Sequence, residues 1–284
     1  MAVIVPRSLA DALRALADLP GATVLAGGTD LMVELNSGHR QVGAVIAVNR
    51  VTELGSWRHD PAAGTLFLGS GVTYAEIARG PIADWVPSLA QAARTVGSPQ
   101  IRHAATVGGN LGTCSPAGDG LGPLAALDAV VHLASAASGE RTLPFAEFMV
   151  GPKRTARTAG ELITGVTVPV LQGWQGYSKV GVRNAMVIAT ASAALVADVM
   201  GKSVRLALGS VGPVILRCPS AEAFAADHVE FATASVGDDA VAQFAALARE
   251  AARPIDDHRS SAAYRRHAVG VLAARLLRRA FPNG

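Results

Sequence analysis

Two glycine-rich segments constrain this chain more than any other feature of its sequence. The first, Ala26-Gly27-Gly28-Thr29-Asp30, follows an apolar run that predicts a strand, Thr23 to Ala26. The second, Thr106-Val107-Gly108-Gly109-Asn110, comes about eighty residues later. Glycine lets backbone amides turn toward one point and lets a phosphate approach them closely. The two predicted loops therefore suit the clamping of one dinucleotide from opposite sides.

Each segment also has a simpler interpretation as a tight turn, which is the more common role of an isolated Gly-Gly pair. Neither segment has the G-x-G-x-x-G spacing of a Rossmann dinucleotide site, and neither has the spacing of a P-loop. Those two nucleotide-binding folds are therefore disfavoured. Taken alone, the segments leave the choice between turns and a phosphate site open.

Composition and charge exclude several classes of protein. Half of the 284 residues are apolar, which is enough for a full core, and only 17% are charged. The net charge of +3 comes from a small excess of arginine rather than a basic block, so no nucleic acid partner is expected. The longest weakly polar stretch, residues 185–197, is shorter than the roughly 20 apolar residues of a membrane helix. With no membrane span and no export signal, a cytoplasmic protein is expected.

The cysteine count limits the redox chemistry of the chain. Its two cysteines, Cys114 and Cys218, provide neither a disulfide framework nor the four thiolates that an iron-sulfur cluster usually takes. No metal ligands are predicted. Any electron-transfer role of this chain therefore requires an organic cofactor.

The secondary-structure signals predict an α+β chain in two domains. The first covers residues 1–170, with subdomains of about 1–55 and 56–170, and the second covers residues 175–284. Pro169, Gly173 and Gly176 predict the linker. Helices are expected after Ser8 and Thr73, at 31–35, from about 84 to 96, and around 238–252 and 260–280. Strands are expected at 23–26, 44–48, 66–68, 129–133, 162–168, 187–199 and 203–208, with an extended piece after Pro99.

Several motifs, taken together in their order and spacing, point to one family. They are Val24 to Leu31, Gly97 to Arg102, Ala105 to Leu111, Ser115 to Asp119, Gly160 to Ile163, Ser178 to Arg183 and Tyr264 to His267. This set resembles the FAD-binding medium subunit of molybdenum hydroxylases, of the xanthine dehydrogenase and carbon monoxide dehydrogenase flavoprotein type. The resemblance covers nearly the whole chain.

The resemblance implies a two-subdomain FAD-binding domain of the vanillyl-alcohol-oxidase (PCMH) type, followed by the C-terminal α+β domain of carbon monoxide dehydrogenase flavoproteins. It also implies where FAD binds, and it assigns no catalytic residue. Asp119 matches the acid that binds the ribityl or ribose hydroxyls. The pyrophosphate-binding positions match Val24, Leu25, Ala26, Gly27, Gly28, Thr29, Asp30 and Leu31 in the first segment and Thr106, Val107, Gly108, Gly109 and Asn110 in the second.

Three further residues match positions around the flavin ring. Val96 and Ile163 match apolar residues beside the ring, although both suit a protein core equally well. Lys179 matches a residue that hydrogen-bonds the edge of the ring. A lysine there stabilises negative charge on the reduced flavin. The alternative interpretation of Lys179 is an ordinary surface lysine. His103 departs from the family, in which many members have Asn at this place, and it receives no role.

The resemblance places the metal centres on other chains. A large subunit would carry the molybdenum cofactor and hydroxylate the substrate, a small subunit would carry [2Fe-2S] clusters, and FAD on this chain would collect the electrons. A dimer of such heterotrimers is expected. NAD+ is the expected acceptor, in a xanthine dehydrogenase-like enzyme, and oxygen or another electron carrier is the alternative.

Two other functions stay open at this point. A self-sufficient flavin oxidase or reductase uses the same flavin fold, but it needs a substrate-binding domain and an acid-base pair near the flavin N5 atom, and the sequence offers no such pair. A binding or assembly protein without turnover would be favoured if the chain failed to bind FAD.

Overall fold

Helices and strands are interspersed along the whole of the computed structural model, which describes residues 2–283. The strands are β1 (Ala2–Ile4), β2 (Thr23–Leu25), β3 (Ala44–Ala47), β4 (Trp57–Asp60), β5 (Thr65–Gly69), β6 (Val130–Ser135), β7 (Gly139–Pro144), β8 (Met149–Gly151), β9 (Arg154–Thr155), β10 (Leu162–Pro169), β11 (Gly173–Val180), β12 (Ala191–Asp198), β13 (Ser203–Gly209), β14 (Leu216–Arg217), β15 (Val229–Glu230) and β16 (Ser235–Val236). The α-helices are α1 (Leu9–Asp18), α2 (Leu31–Asn36), α3 (Tyr74–Ile77), α4 (Gly80–Trp85), α5 (Pro87–Thr95), α6 (Pro99–Ala104), α7 (Val107–Thr113), α8 (Leu121–Ala126), α9 (Phe145–Phe148), α10 (Pro219–His228), α11 (Asp238–Ala251) and α12 (Ala262–Ala280).

The first unit of the chain packs a helix on a small parallel sheet with the strand order β1-β3-β2. Helix α1 begins at Leu9 because the Ser8 side chain accepts the Asp11 amide, as predicted. Its apolar side, which includes Ala12 and Leu16, is buried in a core shared with β3. The strands expected at 23–26 and 44–48 and the helix expected at 31–35 form a βαβ-like unit, since β2 and β3 are parallel neighbours. The first glycine segment therefore leaves the sheet at the carboxyl end of β2.

The second unit is an antiparallel sheet with the order β4-β5-β10-β6-β7. Burial alternates along β5: Leu66 and Leu68 are fully buried, whereas Thr65 and Phe67 are only partly buried. The inward residues pack with Val107 and other apolar residues of the helices in one large core. The predicted Thr73-Glu76 capping box is present at the start of α3.

The third unit is the antiparallel sheet β11-β12-β13-β14, which has helices on both sides. Every residue of β12 is buried. Ala194 and Val196 face the core of the second unit, while Ala193 and Leu195 face α11 and α12. A strand covered on both faces is apolar along its whole length, which explains the long weakly polar run in the sequence. The helix expected around 260–280 is α12, which buries one apolar face and leaves Arg275 and Arg278 exposed.

Buried hydrogen bonds join the third unit to helix α5. The Ser88 hydroxyl donates to Gln175 Oε1 at 3.0 Å, and the Tyr177 amide donates to Gln91 Oε1 at 2.9 Å. The first bond is fully buried and the second is partly buried, and together they hold β11 against α5. Among residues 2–283, no helix has both the length and the apolar character needed to cross a bilayer.

One predicted helix is wrong in its bounds. The helix expected from Asp84 to Val96 is two helices, α4 and α5, separated at Val86. Pro87 has no amide hydrogen and disfavours a helical conformation at the residue before it, so the chain turns there and a new helix begins. The proline acts as a start signal rather than as an interior residue.

Three other predictions differ from the structure. The piece after Pro99 is helical (α6) rather than extended, because the Ser98 side chain caps it by accepting the Ile101 amide. Gly173 and Gly176 lie within strand β11 rather than in a linker. The strand expected from Val187 begins only at Ala191, because the carbonyl of Val187 accepts a hydrogen bond from Lys179 instead of a strand partner.

The buried Ser88-Gln175 bond predicts a stability effect. Replacing Ser88 by alanine leaves Gln175 Oε1 buried without its donor, and we expect the free energy of unfolding to fall by about 1–3 kcal/mol. Ser203→Ala is the matched control, since the buried Ser203 hydroxyl has no partner within residues 2–283. Urea unfolding of both variants measures this. Equal effects of the two substitutions would contradict a stabilising role of the Ser88-Gln175 hydrogen bond.

Candidate functional site

The first glycine segment has backbone donors that the chain itself does not use. The amides of Gly27, Gly28, Thr29 and Asp30 donate to no acceptor within residues 2–283. Gly28 has φ +73°, in the left-handed region that favours glycine. The segment is partly exposed rather than buried, so these donors are available to a ligand. Unused amides in a turn suit the binding of an anion.

The two glycine segments lie side by side. A side chain at Gly27 would overlap the carbonyl oxygen of Ala104, just before the second segment. A Cβ atom at Gly109 would lie 4.0 Å from the Cβ atom of Ala26. The Thr113 hydroxyl donates to the Asp30 carboxylate at 3.0 Å. The structure thus brings together two segments that are about eighty residues apart in sequence.

The second glycine segment is the start of helix α7 and not a loop, which corrects the prediction. Thr106 is its N-cap, with its hydroxyl accepting the Gly109 amide at 3.0 Å. The Val107 amide donates to Val72 O at 3.0 Å and the Gly108 amide to Ser70 O at 2.9 Å. A threonine followed by amides at helical spacing caps a helix, and this competes with a phosphate loop. The amides of Val107, Gly108, Gly109 and Asn110 are thus engaged within the protein.

Asn110 ties the start of α7 to the loop that contains Asp119. Its Oδ1 atom accepts the Tyr74 hydroxyl at 2.8 Å, and Gly118 and Gly120 both pack against its side chain. Burial raises the pKa of Tyr74, which keeps the phenol protonated as the donor. Asn110 therefore has a structural contact that its sequence context did not reveal.

Asp119 and Lys179 form a buried ion pair, with 2.6 Å between Asp119 Oδ2 and Lys179 Nζ. The side chains are only 10% and 9% exposed, respectively. The Tyr177 hydroxyl donates to Asp119 Oδ1 at 2.8 Å. Burial raises the pKa of Asp119, and the charge of Lys179 opposes that rise. Burial also raises the pKa of Tyr177, so the phenol stays a donor.

Lys179 uses all its donors within the protein. Besides Asp119, its Nζ atom donates to Thr95 O at 3.0 Å and to Val187 O at 3.1 Å. An ammonium group has three N–H donors. The family resemblance implies separate contacts for Asp119 and Lys179, and it implies no role for Tyr177 or Thr95. No local signal in the sequence links these residues, because they are brought together only by the packing of β11 on α5 and the Asp119 loop.

Val96 and Ile163 lie at the edges of this arrangement. Val96 directly follows α5, and its carbonyl accepts Arg102 at 3.0 Å. Ile163 is 5% exposed, and its Cδ1 atom lies 3.7 Å from where a Cβ atom of Gly112 in α7 would be. Both side chains pack in or against the large core. His103 Nδ1 lies 2.8 Å from Pro99 O within its own helix.

Comparison with known families and proteins gives a consistent result. Residues 1–171 match the family described as the FAD binding domain in molybdopterin dehydrogenase, and residues 177–280 match the CO dehydrogenase flavoprotein C-terminal domain. The chain is 32% identical over 275 residues to the glyceraldehyde dehydrogenase medium chain of Sulfolobus acidocaldarius, covering 95% of each. It is 30% identical over 224 residues to the xanthine dehydrogenase FAD-binding subunit of Escherichia coli O157:H7, covering 76% of this chain and 75% of the relative.

A solved structure of similar shape agrees with these matches. Quinoline 2-oxidoreductase from Pseudomonas putida 86 has a chain that superposes with a TM-score of 0.90 at 26% identity, covering 99% of this chain and 97% of that one. The expected fold class, an FAD-binding domain followed by a flavoprotein C-terminal domain, is confirmed. The family resemblance given by the motifs is confirmed as well.

Strand β10, which carries Ile163, is held at its start by Glu161. Arg141 Nε lies 2.5 Å from Glu161 Oε1, and the Thr158 amide donates to Glu161 Oε2 at 2.6 Å. The hydrogen bonds from Arg141 are the main cause that lowers the pKa of Glu161 from 4.5 to about 2. Because the folded-state pKa lies below the unfolded value, ionised Glu161 stabilises the fold above pH 4.5. That contribution is lost as the pH falls from 4.5 toward 2.

We expect Glu161→Gln to be less stable than the parent at pH 6 and to lose stability less steeply as the pH falls through the region below 4.5. The urea midpoint at a series of pH values measures both effects. Glu140→Gln, at an exposed residue of β7 next to Arg141, is the control and should keep the parent profile. An unchanged slope in Glu161→Gln would mean that another carboxylate causes the acid sensitivity.

Proposed function

Because this chain belongs to the family of the FAD binding domain in molybdopterin dehydrogenase, we propose that it binds FAD through Gly27 to Asp30 and passes electrons from a partner's clusters to NAD+. It is the FAD subunit of a molybdenum hydroxylase. The observation that carries the binding site is the group of unused amides in the first glycine segment. The acceptor and the partners are inferred from the chemistry below.

The first segment fits a pyrophosphate. Two linked phosphates carry negative charge and present several acceptor oxygens. The amides of Gly27 to Asp30 supply donors that have no acceptor in the described part of the chain. The missing side chain at Gly27 lets the segment pack directly against Ala104 O, and glycine at position 28 allows the left-handed φ of +73°. Both residues thus shape the turn that presents these amides. Val24, Leu25, Ala26 and Leu31 flank these donors and are partly buried, so they are proposed to pack against the cofactor.

The second segment, Thr106 to Asn110, is proposed to support this site rather than to donate to it. The amides of Val107 to Asn110 are engaged, and the missing side chain at Gly109 leaves room for Ala26, while Gly27 packs against Ala104 just before the segment. The side-chain nitrogen of Asn110 makes no hydrogen bond within residues 2–283 and is available to the ligand. The segment would thus hold the pyrophosphate loop in place and add one side-chain donor.

Asp119, Lys179, Val96 and Ile163 are proposed to surround the rest of the cofactor. Asp119 would accept ribityl or ribose hydroxyls with its remaining lone pairs. Lys179 would act through its positive charge, because its three N–H donors are already used. Val96 and Ile163 would exclude water from the ring. FAD, when bound, supplies the redox chemistry, since its ring can take electrons singly and release them as a pair.

The metal centres are proposed to lie on partner chains. Cys114 and Cys218, the two cysteines of the sequence, are both buried, and a [2Fe-2S] cluster usually takes four thiolates. A relative of this chain is a medium chain, which implies larger and smaller partners. We therefore infer a large molybdenum subunit and a small iron-sulfur subunit, assembled as a dimer of heterotrimers in the cytoplasm.

NAD+ is proposed as the acceptor because both relatives described above are dehydrogenases and a bound flavin gives up hydride readily. The Ala-Gly-Gly-Thr-Asp segment favours a xanthine dehydrogenase-like enzyme. The substrate itself would be selected by the large subunit, because that chain holds the molybdenum centre. This chain would determine the acceptor and not the substrate.

Gly27→Ala tests the proposed function in the assembled complex. The added methyl group overlaps Ala104 O, so the first segment must shift and its amides can no longer face the ligand together. We expect the flavin content, measured from the visible spectrum, to fall at least tenfold. NAD+ reduction should fall in parallel.

Gly43→Ala is the matched control, because nothing lies within 4 Å of a Cβ atom there and its backbone is not left-handed. It should keep both flavin and NAD+ reduction. Full flavin retention in Gly27→Ala would reject the pyrophosphate site. NAD+ reduction that persists without flavin, or a parent complex that reduces oxygen but not NAD+, would reject the proposed electron path.

A further inference from the structure

Arg265 is a buried arginine far along the chain from the glycine segments. It lies in the first turn of α12 and is 4% exposed. Its Nη1 atom donates to two backbone carbonyls, Thr190 O at 2.9 Å and Ser210 O at 2.8 Å. Its Nη2 atom donates to Asp257 Oδ1 at 2.6 Å. One guanidinium group thus joins the start of β12 to the end of β13.

The contact at Ser210 continues to the loop that carries Asp119. The Ser210 amide donates to Pro116 O at 2.8 Å. Ser210 has φ +63°, an unusual conformation for a residue other than glycine. Such a conformation persists only where the surrounding contacts hold it. Arg265 therefore fixes the residue on which Pro116, three positions before Asp119, is anchored.

The contact at Thr190 continues to Lys179. The Thr190 amide donates to Val180 O at 2.8 Å, and Val180 directly follows Lys179. The Val187 carbonyl, on the same connection between β11 and β12, accepts Lys179 Nζ at 3.1 Å. The guanidinium group thus holds Ser210, which contacts the Asp119 loop, and Thr190, which contacts the residue after Lys179.

We propose that Arg265 is a positioning residue that sets the geometry of the Asp119-Lys179 pair from the opposite side of the third sheet. Removing the guanidinium leaves two carbonyls without this donor and Asp257 without its buried cation. The segments around Ser210 and Thr190 then gain freedom to move. The consequence for FAD rests on the proposed function of that pair, whereas the effect on the two segments does not.

The experiment compares Arg265→Met with Arg266→Met, which removes the same charge from an exposed neighbour on the same helix. Amide hydrogen exchange of the chain without FAD is measured first. We expect Arg265→Met to lose protection at least tenfold at the Ser210 and Thr190 amides, and Arg266→Met to keep it. Arg265→Lys keeps the charge near Asp257 but not the forked donor, so it should show a smaller loss at the same amides. It replaces Arg265→Met if that variant does not fold.

The second measurement is FAD affinity. Arg265→Met should raise the FAD dissociation constant at least tenfold in the parent background, but add less than twofold to the effect of Lys179→Met, because both act through one pair. Exchange and affinity that match Arg266→Met would overturn the inference while leaving FAD binding by the parent intact. Independent, additive effects of Arg265→Met and Lys179→Met would overturn it as well. A parent that binds no FAD would reject the proposed function, and the exchange result would still decide the role of Arg265.

Discussion

The buried pair of Asp119 and Lys179 is the interaction on which the relative placement of the units depends. Asp119 lies in the loop before α8, Lys179 lies on β11, and Thr95 at the end of α5 contacts both. Removing two charges from water is costly, and the pair is tolerated only where hydrogen bonds satisfy both groups. Tyr177, Thr95 and Val187 supply those bonds. Any shift of β11 against α5 would break several of them at once.

The two glycine segments differ in how their backbone amides are used. In the second segment, the amides of Val107 to Asn110 are used to start α7 and to bind the carbonyls of Ser70 and Val72, just after β5. In Gly27 to Asp30 the donors have no partner among residues 2–283. Unsatisfied donors that are partly exposed carry a small penalty in water and gain most when an anion replaces that water. Because the start of α7 packs against the first segment, the free amides of Gly27 to Asp30 are held in place before an anion binds.

Local signals predicted much of the fold. The Ser8 and Thr73 caps, the apolar strands and the glycine of the first segment act within a few residues, so the sequence reveals them. The break at Pro87 was not predicted, because the helical spacing of apolar residues continues across the proline. The Asp119-Lys179 pair and the role of Tyr74 were missed because their partners lie far apart in sequence. For Thr106 to Asn110, glycine content favoured a loop, whereas the threonine cap and tertiary contacts produced a helix.

The central claim is that the amides of Gly27 to Asp30 hold the FAD pyrophosphate. The most direct measurement is the change in their backbone amide chemical shifts when FAD is added to the purified chain. The account predicts large shifts at Gly27, Gly28 and Thr29, whose amides have no acceptor among the residues that the structure describes. It predicts small shifts at Val107 and Gly108, whose amides already have acceptors. FAD binding without a change at Gly27 and Gly28, or with the largest changes at Val107 and Gly108, would contradict it.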